Sequence, residues 1–160
     1  MNKSTKISNN LPLFDSNILV FGHNVASPFH ERAKKLIFSV TNQELQAVLS
    51  PQNLLEFYSI ITNPKRVEKP LSVSNAQFVV REYLTSGVFV LVYPGETTFT
   101  KTFELARRYK ISKSEIFDTF LVATMLDNEI DIIYTDNEKH FKIFREIKVV
   151  NPFNKSDLFQ

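Results

Sequence analysis

The chain has 160 residues, 43% of them hydrophobic and 22% charged, with a formal net charge of +2; it can bury one core, and so small an excess of positive charge does not by itself mark a nucleic-acid binder. Fifteen Phe and no Trp make that core Phe-rich, while zero Cys removes disulfides, thiolate zinc sites, iron–sulfur clusters and cysteine nucleophiles together. The longest unbroken apolar run, Val88 to Tyr93, falls far short of the roughly 20 residues that span a bilayer, and the polar first ten residues hold no signal-peptide core, which predicts a soluble cytoplasmic protein with no membrane partner.

Residues 1–10 read as a flexible tail, 11–153 as a single domain and 154–160 as a C-terminal tail. Leu11 to Phe14 predicts a strand ending at Asp15, with a helix over Ser16 to Phe21. Ser27-Pro28 has the form of an N-cap followed by a first-turn proline, opening a helix over Phe29 to Val40 whose apolar face is Ala33, Ile37 and Val40. Leu45 to Leu49 reads as a strand. Ser50-Pro51 then caps a helix to about Thr62, stopped by Asn63-Pro64. A polar loop to Leu71 leads into a helix from about Ser72 to Thr85, a strand over Phe89 to Val92 and a helix over Thr97 to Tyr109. Ser112 and Glu115 have capping-box spacing, predicting a helix to about Asp127, and strands follow at Ile130 to Tyr134 and Ile147 to Val150. Strands alternating with helices favour an α/β domain on a parallel sheet.

Four carboxylates interrupt or end apolar runs: Asp15 in PLFDSNILVF, Glu56 in LLEFYSII, Asp118 in EIFDTFLVATML and Asp136 in DIIYTDN. A lone buried carboxylate is expensive or becomes protonated, so four at core-facing positions point to a shared cation that offsets their repulsion. Asp118 shares a helical stripe with Leu121 and Val122, and Glu56 with Ile60. Singly, each has an ordinary reading: Asp15 as an N-cap, Asp136 as a turn residue, the other two as edge-of-core carboxylates. In an open α/β sheet, strand ends and the helix starts beside them converge, which brings all four within reach of one site.

Oxygen ligands without Cys or paired His select Mg²⁺ or Mn²⁺ over zinc or copper, and such ions favour phosphate substrates. Activation of water and in-line displacement at a phosphodiester is nuclease chemistry in outline. Gly22, Gly87 and Gly95 are too few and too scattered for a phosphate-cradling loop, His30-Glu31 lacks the second His of a zincin, and no nucleophile elbow occurs. His23 and His30 read as surface or helix-edge residues.

The order Asp15-Ser16-Asn17 after a first strand, Glu56 in a Ser-Pro-capped helix, TNPKRV, IFDTFLVATML, YTDN and a closing VVNPF resembles the PIN-domain family, and within it the VapC-type toxins of prokaryotic toxin–antitoxin pairs, over about Leu11 to Phe153. The resemblance implies a three-layer α/β/α sandwich with a central, mainly parallel sheet. It also implies an Mg²⁺- or Mn²⁺-dependent endoribonuclease that cleaves RNA, is homodimeric and is held inactive by a cognate antitoxin. By that likeness Asp15, Asp118 and Asp136 ligate the metal, Glu56 acts through water, and Ser16, Asn17 and Asn137 orient carboxylates or water. Two positions depart from the family pattern: Lys113 stands where Gly is common, adding a positive charge near the metal, and Lys139 and His140 occupy a stretch where some relatives carry a further carboxylate.

For RNA contact the positive groups are Lys65, Arg66 and Lys69 in the polar loop, Arg107, Arg108 and Lys110 at a helix end, and Lys113. Against this, charge runs are usually solvated faces, and Arg108 has Glu104 one turn away for a partner. The alternative functions are a PIN-like module that binds RNA or protein without cleaving, and a phosphatase or phosphoacceptor domain. The latter fits worse, because Asn17 stands where a haloacid-dehalogenase-type phosphatase needs a second Asp.

Overall fold

The computed structural model describes residues 11–154, so the expected tails lie outside the described residues except for Asn154. In chain order the elements are β1 (Pro12–Phe14), α1 (Ser16–His23), α2 (His30–Thr41), β2 (Val48–Leu49), α3 (Pro51–Ile61), α4 (Val73–Thr85), β3 (Val90–Leu91), α5 (Thr98–Tyr109), α6 (Glu115–Asp127), β4 (Ile132–Tyr134), α7 (Glu138–Phe141) and β5 (Lys148–Val150). The strands form one sheet in the order β3-β2-β1-β4-β5, and every pairing is parallel.

Successive strand residues point to opposite faces, and the sequence places an apolar side chain on both. Leu13, Val48 and Ile133 enter one core with Leu105, Leu121, Val122 and Met125 of α5 and α6. Their neighbours Phe14 and Leu49 enter the other, with Ile18, Leu19, Ala33, Leu54, Phe57 and Ala76 of α1 to α4. Helices on both faces of a parallel sheet make the three-layer α/β/α sandwich that the resemblance implied.

Among the described residues, side-chain caps set the starts of α1, α3 and α4. Ser50 caps α3 by a full capping box: its Oγ accepts from Asn53 N, and its own N donates to Asn53 Oδ1 at 3.2 Å. Pro51 occupies the first helical position, where its missing N–H costs nothing. Two expected starts are corrected. Ser27 Oγ accepts from Phe29 N at 3.1 Å and closes a turn, so α2 begins only at His30, without a side-chain cap. Ser112 does not cap α6, because Lys113 is left-handed (φ 57°) and breaks the turn; the helix starts at Glu115. The four-residue α7 is too short to show a period, and the sequence reading did not find it.

Candidate active site

The centre of the sheet sets the site. Since β2, β1 and β4 are adjacent and parallel, the residues that leave their carboxyl ends, Ser50, Asp15 and Thr135, emerge side by side. Asp15 N donates to Tyr134 O at 3.0 Å, which fixes the β1 exit against β4.

Asp15 is buried, with 6% of its surface exposed, and is the N-cap of α1. Its Oδ1 accepts from Ser16 N at 2.7 Å; its Oδ2 accepts from Thr135 Oγ1 at 2.7 Å and Asn17 Nδ2 at 3.0 Å. Burial pushes its pKa up from 3.8 to about 6, with the negative charges of Glu56 and Asp118 adding to it, against the opposing hydrogen bonds from Thr135 and Ser16. The three acids therefore share one electrostatic neighbourhood.

Glu56, half-buried on α3, is held at both oxygens. Ser16 Oγ donates to Oε2 at 3.1 Å, and Gln52 Nε2 donates to Oε1 at 3.0 Å. Gln52 Nε2 also donates to Phe117 O at 2.9 Å, so the same amide ties Glu56 to the residue before Asp118 and couples α3 to α6. Asp118, in the first turn of α6, pairs through Oδ2 with His140 Nδ1 at 2.8 Å.

Asp136 joins the cluster by its backbone: its N donates to Asn17 Oδ1 at 3.4 Å. Its carboxylate turns toward β5, where Asn151 Nδ2 donates to Oδ1 at 3.2 Å and to Glu138 Oε1 at 3.1 Å. Among the described residues, no three acidic, Cys or His side chains already stand close enough to cage a metal. The donor set nevertheless suits a hard cation: it is all oxygen, and its buried member is raised toward protonation first by burial and then by the charges of Glu56 and Asp118, which a cation would offset.

Of the other residues singled out from sequence, Ser16 and Asn17 stand in the cluster, and Asn137 contributes its N–H to Thr135 Oγ1 at 2.9 Å. Lys113 is exposed, five residues before Asp118. Lys65 and Arg66 lie in an exposed turn beyond the C-terminal end of α3. Arg108 pairs with Glu146 and not with Glu104. His23 is half-buried at the last residue of α1, a helix edge: its Nε2 lies 2.9 Å from Tyr83 Oη, and burial lowers its pKa. His30 Nδ1 bonds Phe21 O at 3.0 Å.

Thr135, Gln52, Asn151 and the His140 pairing were missed by the sequence reading. Gln52 carried a signal, since it stands four residues before Glu56 on one helix face. Thr135 and Asn151 carried none beyond proximity to Asp136 and a strand end.

The PIN domain family model matches residues 13–147. Ribonuclease VapC24 of Mycobacterium tuberculosis is 25% identical over 138 residues, covering 86% of this chain and 94% of the relative. VapC ribonuclease Mb2897 of Mycobacterium bovis is 24% identical over 140 residues, covering 88% and 94%. Among solved structures, VapBC-1 from nontypeable Haemophilus influenzae superposes with a TM-score of 0.62 at 15% identity, covering 90% of this chain and 99% of that one. Mycobacterium tuberculosis VapC20, a sarcin–ricin loop cleaving toxin, gives 0.60 at 14% identity, covering 80% and 91%. With strand order, acid cluster and family match in agreement, this chain belongs to the PIN-domain family.

Proposed function

We propose that the chain is an Mg²⁺- or Mn²⁺-dependent endoribonuclease of the VapC type, acting in the cytoplasm as the toxin of a toxin–antitoxin pair. The observation that carries this reading is Asp15: a buried carboxylate, raised to about 6 by burial and by Glu56 and Asp118, yet fixed at both oxygens by hydrogen bonds from Ser16, Asn17 and Thr135. Asp15, Asp118 and Asp136 would hold the ion. When bound, it would lower the pKa of an attacking water and stabilise charge on phosphodiester oxygens.

The chain's own residues do the positioning. Thr135 and Asn17 fix Asp15 Oδ2, and Asn17 also holds the Asp136 backbone, so the two strand exits are set together. Ser16 and Gln52 aim Glu56, which orients water and accepts its proton. Two ribonuclease relatives support RNA as the substrate, and similarity to the toxin–antitoxin complex from Klebsiella pneumoniae and to VapBC complexes supports an antitoxin partner. Leu55, Phe99, Phe103 and Phe117 expose large apolar side chains on α3, α5 and α6, which supports a protein partner and homodimerisation.

Purified protein incubated with structured RNAs and Mg²⁺ or Mn²⁺ should cleave them, and Asp118→Asn should lower the rate by about 100-fold or more. Equal cleavage by both proteins removes Asp118 from the mechanism. One observation favours the rival, a module that binds without cleaving: the Asp136 carboxylate faces Asn151. Such a module would hold RNA and leave it intact with either ion.

A further inference from the structure

A cleft of about 260 Å³ opens beside the acid cluster, between the C-terminal end of α5 and α7. We propose that it is a nucleotide subsite, holding the phosphate and the base face of one residue of single-stranded RNA next to the scissile phosphodiester; the assignment of RNA rests on the ribonuclease reading.

Three features converge there. Lys110 and Lys139 line the cleft from elements distant in sequence, and neither ammonium has an ion-pair partner among the described residues, whereas Arg108 pairs with Glu146 and Lys142 with Glu138. The backbone of Lys110 is fixed at the rim: it is left-handed (φ 55°), and both its N–H and that of Ile111 bond Ala106 O. Positive groups left without carboxylate partners suit a phosphate backbone. Next, Ile111 and the half-exposed Ile143, backed by the buried Phe144, give the cleft an apolar wall, which fits the face of a base and offers nothing to a bare anion. Last, His140 borders the cleft while its Nδ1 lies 2.8 Å from Asp118 Oδ2, so a nucleotide seated here adjoins the proposed metal ligands. Glu115, the one carboxylate in the lining, stands three residues before Asp118 and supplies an acceptor for a ribose hydroxyl or an exocyclic amine.

The test needs neither metal nor cleavage. The full chain, with Ile methyl groups labelled for NMR, is titrated with adenosine 5′-monophosphate in chelator-containing buffer. The Ile111 and Ile143 methyls should shift saturably while those of Ile18 and Ile61, in the opposite core, stay put. The double variant Lys110→Ala/Lys139→Ala, with its melting temperature checked, should weaken apparent affinity about fivefold or more, and inorganic phosphate should compete only weakly. Unmoved Ile111 and Ile143 signals, or equal titration curves for wild type and double variant, would overturn the subsite. Nucleotide uptake here by a protein that cleaves no RNA would keep the nucleotide site and sink the ribonuclease reading; cleavage without uptake here would do the reverse.

Discussion

Asp15 has two duties that oppose each other. As N-cap of α1 it accepts from Ser16 N, and with Thr135 and Asn17 on its other oxygen it is one of the best-bonded groups in the protein. Burial, Glu56 and Asp118 nonetheless raise it to about 6, which corresponds to about 3 kcal/mol of unfavourable charge at neutral pH. The native state binds this proton more tightly than the unfolded chain does, so stability falls as pH rises between 3.8 and about 6 and stays lower above that window. Asn also caps helices well, but it offers one acceptor oxygen where Asp15 uses two, so Asp15→Asn should recover only part of the cost. In metal-free buffer near pH 7.5 it should raise the melting temperature by about 2 to 8 °C, and the gain should vanish below about pH 4. A lower melting temperature than wild type at pH 7.5 would contradict this. At this scale the sequence was informative about acids lodged in apolar runs and about Ser16 and Asn17 beside Asp15, and silent about holders from elsewhere in the chain such as Thr135 and Asn151. A hydroxyl such as that of Thr135 reveals its partner only once β1 and β4 are known to be neighbours.

Among the elements, α5 and α6 are locked at one end by Asp127, whose carboxylate accepts from Thr98 Oγ1 at 2.6 Å and Thr97 Oγ1 at 3.1 Å and pairs with Lys101. Burial pulls its pKa up, but these bonds outweigh it and leave it lowered. Its stabilisation is therefore complete above the ordinary carboxylate range and is lost as pH falls through the lowered native value. Asp127→Ala strands two hydroxyls and an ammonium, which costs about 1–3 kcal/mol, or about 3 to 10 °C in melting temperature, while cleavage per folded molecule should hold. Thermal melts with cleavage assays check both; an unchanged melting temperature would mean that the contact stabilises nothing. Helix starts were legible where the cap acts through near neighbours, as Ser50-Pro51-Gln52-Asn53 does. They were not where backbone handedness decided, as at Lys113, since nothing in Ser112-Lys113-Ser114-Glu115 announces a left-handed lysine.

Over the whole molecule, the fold was readable because two periodicities agree: short runs apolar on both faces make strands covered on both sides, and helices between them supply the covers. Strand order was not, since parallel strands carry no pairing label, and yet it decides the site. Placing β1 between β2 and β4 sets Asp15 beside the starts of α3 and of the segment after β4, so Ser16 can reach Glu56 across 40 residues and Thr135 can reach Asp15 across 120. Among the described residues no helix is long and apolar enough to cross a membrane.

In the proposed mechanism, oxygens from these separate exits grip one hard cation. Calorimetric titration of Mn²⁺ into the wild-type chain and into Asp15→Asn decides whether they do. Saturable binding by the wild type with release of protons near pH 6, weakened about tenfold or more in the variant, is the predicted result. No Mn²⁺ uptake by the wild type, or equal uptake by both, would contradict it.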